Sequence, residues 1–185
     1  MKKAIVIGSS RGIGKAIAES LNSLDIDVVT TSKQDIDTSN LQSVKEFSQK
    51  NHTADILVLN TGGPPMMDFN KITEDDWNRY HNQLFVGFCT ILQQISVNDN
   101  GYIFVITSNV IKEPNSKLII SSAYRSAFSS VFKILSKEYA KTLPMKRLGN
   151  PEEIGNFVKS IIENDIKYLS GSVINFDGAN SNFIF

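Results

Sequence analysis

Cysteine is almost absent from this chain. Cys89 stands alone, so no internal disulfide can form, and a reducing cytoplasm is the expected setting. An excess of charge of either sign is lacking too: lysine plus arginine and aspartate plus glutamate each number 19. That balance gives no electrostatic footing for nucleic acid or an acidic membrane as partner. Long apolar runs are missing, and nothing approaches the roughly 18 apolar residues of a membrane span. Met1-Lys2-Lys3 before Ala4–Ile7 has the outline of a secretory signal, but the apolar run is too short and Gly8 to Arg11 break it. No repeat, low-complexity tract or Pro/Gly-rich linker interrupts the 185 residues, so 1–185 reads as a single domain. His52 and His81 sit in no motif, and no metal site is expected.

What is present is an alternation. Short apolar runs at Ala4–Ile7, Val28–Thr31, Ile56–Asn60, Tyr102–Thr107 and Val173–Phe176 lack polar/apolar periodicity, as parallel strands covered on both faces do. Between them lie stripes at helical spacing: Ile13, Ala16, Ile17 and Leu21; Val44 and Phe47; Trp77 through Ile95; Ala127 through Tyr139; Ile154 through Ile162. The pattern implies an α/β protein with a Rossmann-type, doubly wound parallel sheet and helices on both faces. One stretch breaks the alternation. The helix ending near Ala140 leads through Pro144 into another helix with no strand between, so the sheet reads as truncated after residue 141.

Val6-Ile7-Gly8-Ser9-Ser10-Arg11-Gly12-Ile13-Gly14 follows a strand and opens a helix, the context in which glycines build a phosphate site. Gly8 lets the chain turn off the strand, Gly12 admits a pyrophosphate to the backbone, and Gly14 lets the helix pack on the sheet. The helix N-terminus, with Ser10, Arg11 and Ile13 beside it, presents N–H groups and a positive dipole end to the anion. The spacing Gly-x-x-x-Gly-x-Gly resembles the short-chain dehydrogenase/reductase family. Asn60-Thr61-Gly62-Gly63 looks like its Asn-Asn-Ala-Gly segment, and Ile106-Thr107-Ser108 its serine-bearing strand end. Lys146-Arg147-Leu148-Gly149-Asn150-Pro151-Glu152-Glu153-Ile154 resembles its Arg-Leu-Gly-x-Pro-Glu-Glu-Ile helix start, and Tyr168-Leu169-Ser170-Gly171 with Asp177-Gly178 its tail. These landmarks keep the family's order along nearly the whole chain.

The resemblance implies a dinucleotide cofactor held by Gly8, Ser10, Arg11, Gly12, Ile13, Gly14, Asn60, Thr61 and Gly62. In members that prefer NAD, an acid at the end of the second strand holds the ribose hydroxyls. Here the strand ends Thr30-Thr31-Ser32-Lys33 without one. Ser32, Lys33 and Arg11 can instead neutralise and hydrogen-bond a 2′-phosphate, which favours NADP(H) over NAD(H). Asp37 stands where the family's adenine-contacting aspartate stands, or else caps a helix starting near Ser39. The family's usual helix between its second and third strands is nearly gone, which makes this edge compact.

Catalysis is where the resemblance thins. Family members pair a tyrosine with a lysine four residues on, and add a serine and an asparagine. Ser108 fills the serine position, but Ser121, Arg125 and Leu84 stand where tyrosine, lysine and asparagine are expected. Arg125 can bind ribose hydroxyls but cannot release a proton. Tyr124, nearly one helical turn beyond Ser121, and Lys112, on the loop after Ser108, are the alternative acids. The local pattern resembles a divergent branch of 3-oxoacyl-acyl carrier protein reductase-like members. Hydride transfer to or from a 3-oxoacyl-type or other small carbonyl or alcohol is the implied activity. The alternative is a catalytically degenerate NADP(H)-binding protein with a sensing or assembly role. Helices at 73–97 and 120–141 resemble those through which the family forms homodimers or homotetramers. The family also has a strand and a substrate-covering loop where Lys141 here meets Thr142. Either the chain lacks them and the last strand slides over by one place, or, more simply, a mobile lid is missing between the two residues.

Overall fold

The computed structural model describes residues 1–142, 150–169, 172 and 174, the side chains of 137–142 excepted. The backbone divides into two compact units, Met1–Ser129 and Ser130–Phe185. The first contains β1 (Lys3–Val6), α1 (Gly12–Asn22), β2 (Asp27–Thr30), α2 (Leu41–Lys50) and β3 (Thr53–Leu59). After them come a 3-10 turn (Phe69–Lys71), α3 (Glu74–His81), a π-helical turn (Asn82–Val86), α4 (Gly87–Gln94) and β4 (Ser96–Val105). A second 3-10 turn (Asn109–Ile111) precedes α5 (Ile119–Thr142), which starts in the first unit and ends in the second. The second unit also holds α6 (Pro151–Glu163).

Among the described residues the sheet has four strands in the order β2-β1-β3-β4, every pair parallel. Burial explains why β1 and β3 lack alternation. β2 and β4 are not covered on both faces as expected: β2 is at most half-buried, and Tyr102 and Phe104 of β4 are exposed. Ala4, Val6, Ile56 and Val58 form a cluster with Ala18 of α1, flanked by Ile17 and Leu21. Successive strand residues point to opposite faces, so Ile5, Leu57 and Leu59 point the other way, and each is 0% exposed. Fully burying one such side chain is worth about 2 kcal/mol. The stretch after β2 is as compact as expected: residues 31–40 form turns, with neither helix nor strand.

Helix ends follow local chemistry. Thr73 and Asp76 make a capping box on α3, and Asn150 and Glu153 make another on α6, with Pro151 at its first position. The start of α2 corrects the capping expectation. Asn40 is the cap, its side chain accepting from the Gln42 and Ser43 amides. Asp37 instead accepts from the Ser39 amide and hydroxyl at 3.0 and 2.7 Å, one turn earlier.

Three boundaries differ from the sequence reading. The helix expected over 73–97 ends at Gln94 and is interrupted by the π turn. The strand expected at Tyr102 begins at Ser96, because the polar run Asn98–Gly101 is an irregularity within β4: Ala54 pairs with Val97 and Ile56 with Tyr102. And α5 runs past Ala140 to Thr142. The strand expected at Val173–Phe176 lies outside the described residues apart from Ile174, as do Lys146–Gly149 and Asp177-Gly178.

Gly87 tests the packing of α4. A Cβ there would lie 2.5 Å from the Thr38 carbonyl oxygen and 2.8 Å from that of Asn82. Gly87→Ala is expected to destabilise the fold by about 2 kcal/mol, read as a lowered urea midpoint at unchanged slope.

Candidate functional site

Beyond β1 the chain turns at Gly8, whose φ is +66° and whose Cβ, if present, would lie 2.6 Å from the Asn60 carbonyl oxygen. Only glycine meets both demands. Gly14 is held more tightly still: a Cβ would fall 2.3 Å from the Gly8 carbonyl oxygen. The Asn60 side chain donates to that same oxygen at 2.8 Å, tying the end of β3 to the loop. Thr31 fastens the other side, its hydroxyl accepting from the Gly8 amide at 2.9 Å and its carbonyl from the Ser9 amide at 2.8 Å. Gly12 differs from its neighbours. Its φ is +56°, and nothing lies within 4 Å of where a Cβ would be. Arg11 precedes α1 without a capping side-chain bond, and no acid occupies the first turn. Helix amides and an open backbone therefore face a cavity.

That cavity is a cleft of about 470 Å³ at the C-terminal ends of β1, β2 and β3. Of the residues expected to hold a nucleotide, Gly8, Ser10, Arg11, Gly12 and Ile13 line it from the loop, Ser32, Lys33 and Asp37 from the turn after β2, and Asn60, Thr61 and Gly62 from the end of β3. Gly14 and Arg125 do not. Gly14 acts through packing. Lys33 is paired with Asp37 at 3.3 Å. Burial pushes the Asp37 carboxyl up, but the Ser39 hydroxyl and amide together with Lys33 outweigh it and hold the group below its ordinary value.

Five lining residues escaped the sequence reading: Ile7, Ile36, Thr38, Arg79 of α3 and Gln83 of the π turn. Gln83 donates its amide to the Thr61 hydroxyl at 3.3 Å and to the Gly62 carbonyl at 2.7 Å. Leu84, aligned with the family's asparagine, is instead 1% exposed in a cluster with Tyr80 and Ile120. The extra residue of a π turn is what presents Gln83 to the cleft. A polar residue beside an apolar stripe was the only signal in the sequence. β2 ends at Thr30 without an acid, as the sequence reads; Asp35, beyond it, folds back onto Ser32 and accepts from both its amide and its hydroxyl.

None of the five candidate catalytic residues lines this cleft. Ser108 follows β4, donates to the Asn109 side-chain oxygen at 3.2 Å and accepts from the Val110 amide. Arg125 donates from Nε to the Ser121 hydroxyl at 3.2 Å and from Nη1 to the Ile106 carbonyl at 3.0 Å. Its Nη2 lies 3.8 Å from the position of a Cβ on Gly63, next to the cleft wall at Gly62. Burial lowers its pKa from a value so high that the cation persists at neutral pH. Lys112 is exposed on the loop. Tyr124 does not join this group. Its hydroxyl donates to the Trp77 carbonyl at 3.3 Å, its ring meets Trp77 edge-on and His81 at a tilt, and burial raises its pKa. A proton-exchanging phenol needs the opposite shift.

No protein-family profile matches the chain. Curated relatives do. It is 26% identical over 235 aligned positions to the 3-oxoacyl-[acyl-carrier-protein] reductase FabG of Buchnera aphidicola, covering 96% of each chain. It is 22% identical over 250 to the NADPH-dependent reductase BacG of Bacillus subtilis, again covering 96% of each. Since 96% of 185 residues is about 178, roughly 57 of the 235 positions in the first alignment fall opposite no residue of this chain. The fold superimposes on a small-chain dehydrogenase crystallised with NADPH at a TM-score of 0.67, with 20% identity over 74% of this chain and 64% of that one.

The contrast between neighbouring residues on α5 is testable by thermal melts. Tyr124→Phe keeps the ring packing and loses one hydrogen bond, a cost of about 1 kcal/mol. Arg125→Met strands the Ile106 carbonyl and the Ser121 hydroxyl together and should cost about 3 kcal/mol.

Proposed function

We propose that the chain is a short-chain dehydrogenase/reductase resembling the 3-oxoacyl-acyl carrier protein reductases, an NADP(H)-dependent oxidoreductase acting on a 3-oxoacyl compound or another small carbonyl or secondary alcohol. The observation that carries the reading is the cleft at the glycine loop, where the uncapped start of α1 and the open backbone at Gly12 meet. Those features fit a pyrophosphate. The names of the curated relatives, reductases of 3-oxoacyl-acyl carrier protein and an NADPH-dependent reductase, support the reaction class and the cofactor.

When bound, the nicotinamide supplies or accepts the hydride. The protein's own contributions follow from its residues. Gly8, Gly12 and Ile13 shape the phosphate cradle, and Arg11 with Ser32 and Lys33 attracts a 2′-phosphate. Asp37 borders the adenine side. Gln83 holds the Thr61–Gly62 wall in place. Arg125, anchored on Ser121 and Ile106, directs its remaining donor toward the ribose hydroxyls. Ser108 donates a hydrogen bond to the substrate oxygen, which polarises a carbonyl as charge develops on it. With the Tyr124 hydroxyl committed to Trp77, the proton comes from Lys112 or from water. Pairing through α3, α4 and the start of α5 gives a homodimer or homotetramer.

Calorimetric titration with NADPH and NADH, followed by NADPH oxidation with a panel of 3-oxoacyl thioesters and small ketones, tests the reading. Binding with turnover is expected, and Ser108→Ala should lower kcat about 100-fold with little change in NADPH affinity. Failure of both dinucleotides to bind overturns the proposal. Binding without turnover on any carbonyl overturns its catalytic half.

A further inference from the structure

Two loops leave neighbouring strand ends and meet again further on. The loop after β3 and the loop after β4 part where the Ile106 amide donates to the Leu59 carbonyl at 2.9 Å. They rejoin where the Met67 amide donates to the Lys117 carbonyl, also at 2.9 Å. Residues 60–66 and 107–116 are the two sides of the resulting ring. Arg125 stands between them, bonded to the Ile106 carbonyl and beside Gly63. Ser108 lies on the β4 side, and its side-chain bonds are local, to Asn109 and Val110.

The far end of the ring is closed by contacts of three kinds. Beside the main-chain bond, the Lys117 ammonium donates to Asp68 Oδ1, and Lys71 pairs with Asp68 Oδ2 at 3.4 Å. Met67 packs on the cluster of Tyr80, Leu84 and Ile120. The Lys117 amide donates to the Asn115 side chain at 2.8 Å. Lys117 first, and then Lys71, hold the Asp68 carboxyl below its ordinary value, so the pair stays charged well below neutral pH. On the β4 side Val110 is buried, but every residue from Lys112 to Lys117 is exposed, so packing does little to set the course of that stretch. An exposed ion pair adds little to global stability. Its effect is local, on whether the ring is held shut. We propose that Asp68 and Lys117 are positioning residues, whose ion pair closes this ring and so holds the Ser108 loop against the Gly62–Gly63 wall. The inference rests on the proposed reductase reading and deepens it, since neither residue lines the nucleotide cleft.

Asp68→Lys brings three lysines together and is expected to lower kcat about tenfold, with the NADPH dissociation constant within about twofold of wild type. Asp68→Asn, which only deletes the charge, should show the same split at about threefold and serves where the lysine variant fails to fold. Reversing the pair, Asp68→Lys with Lys117→Asp, should restore kcat to within about threefold of wild type. In a Ser108→Ala background Asp68→Lys should cost no more than about twofold, because a positioning residue acts through the group it positions. Full additivity of the two losses overturns the role, and so does a wild-type kcat in both Asp68 variants. Amide exchange needs no substrate: the Met67 amide should exchange about tenfold faster in Asp68→Lys, and an unchanged rate overturns the closure itself. A wild-type chain that turns over no carbonyl overturns the reductase reading, and with it the positioning of Ser108.

Discussion

Three backbones meet at one point with no room for a methyl group, and the nucleotide cleft depends on that meeting. The end of β1 at Gly8, the first turn of α1 at Gly14 and the end of β3 at Asn60 approach so closely that a Cβ on either glycine would collide with a carbonyl oxygen. The Asn60 amide converts this proximity into a hydrogen bond on the Gly8 carbonyl. Because the contact is backbone to backbone, no side-chain rearrangement can relax it. It fixes the direction in which α1 leaves the sheet, and with it the direction in which the unpaired amides of α1 point. Gly12, one turn away in open space, is thereby placed where an anion can reach the main chain. Two glycines are required by contact and the third by access.

The binding and chemical halves of the site are built differently. Residues around the cleft come from loops at the ends of three short strands, of which β1 and β3 are largely buried. The candidate chemical residues sit beyond β4 and on α5, and each is tied to its own neighbourhood: Ser108 to Asn109, Tyr124 to Trp77, Arg125 to Ile106 and Ser121. Arg125 is the link between the halves, since its guanidinium reaches Gly63 beside the cleft wall. It is held by two hydrogen bonds, so a ligand meeting it would find a fixed cation rather than a flexible one.

The strands and the loop were legible because their causes are local. Buried parallel strands read as unbroken apolar runs, and the positive φ of Gly8 and the contact of Gly14 with the Gly8 carbonyl arise within a few residues of chain. Asn150-Pro151-Glu152-Glu153 announced the start of α6 for the same reason. The misreadings came where one residue of register decided the outcome. The π turn carries one residue more per turn than the heptad-like stripe from Trp77 to Ile95 implies, so Leu84 went to the core and Gln83 to the cleft. Tyr124 and Arg125 are adjacent, but successive helical residues diverge by about 100°, and the aromatic surface of Trp77 and His81 captured the phenol. The polar run Asn98–Gly101 hid the start of β4 because an irregular strand need not alternate.

Among the described residues no strand lies outside β2, and this has a consequence beyond the site. An unpaired edge is a template for a second chain. This one is four residues long and carries Asp27 at its start, with Asp25 in a left-handed conformation just before it. A brief, acid-flanked edge offers few backbone groups in register and repels its own copy. The sheet can therefore end where it does without inviting the edge-to-edge growth that leads toward aggregates. At this edge the safeguard is two aspartates and the brevity of one strand.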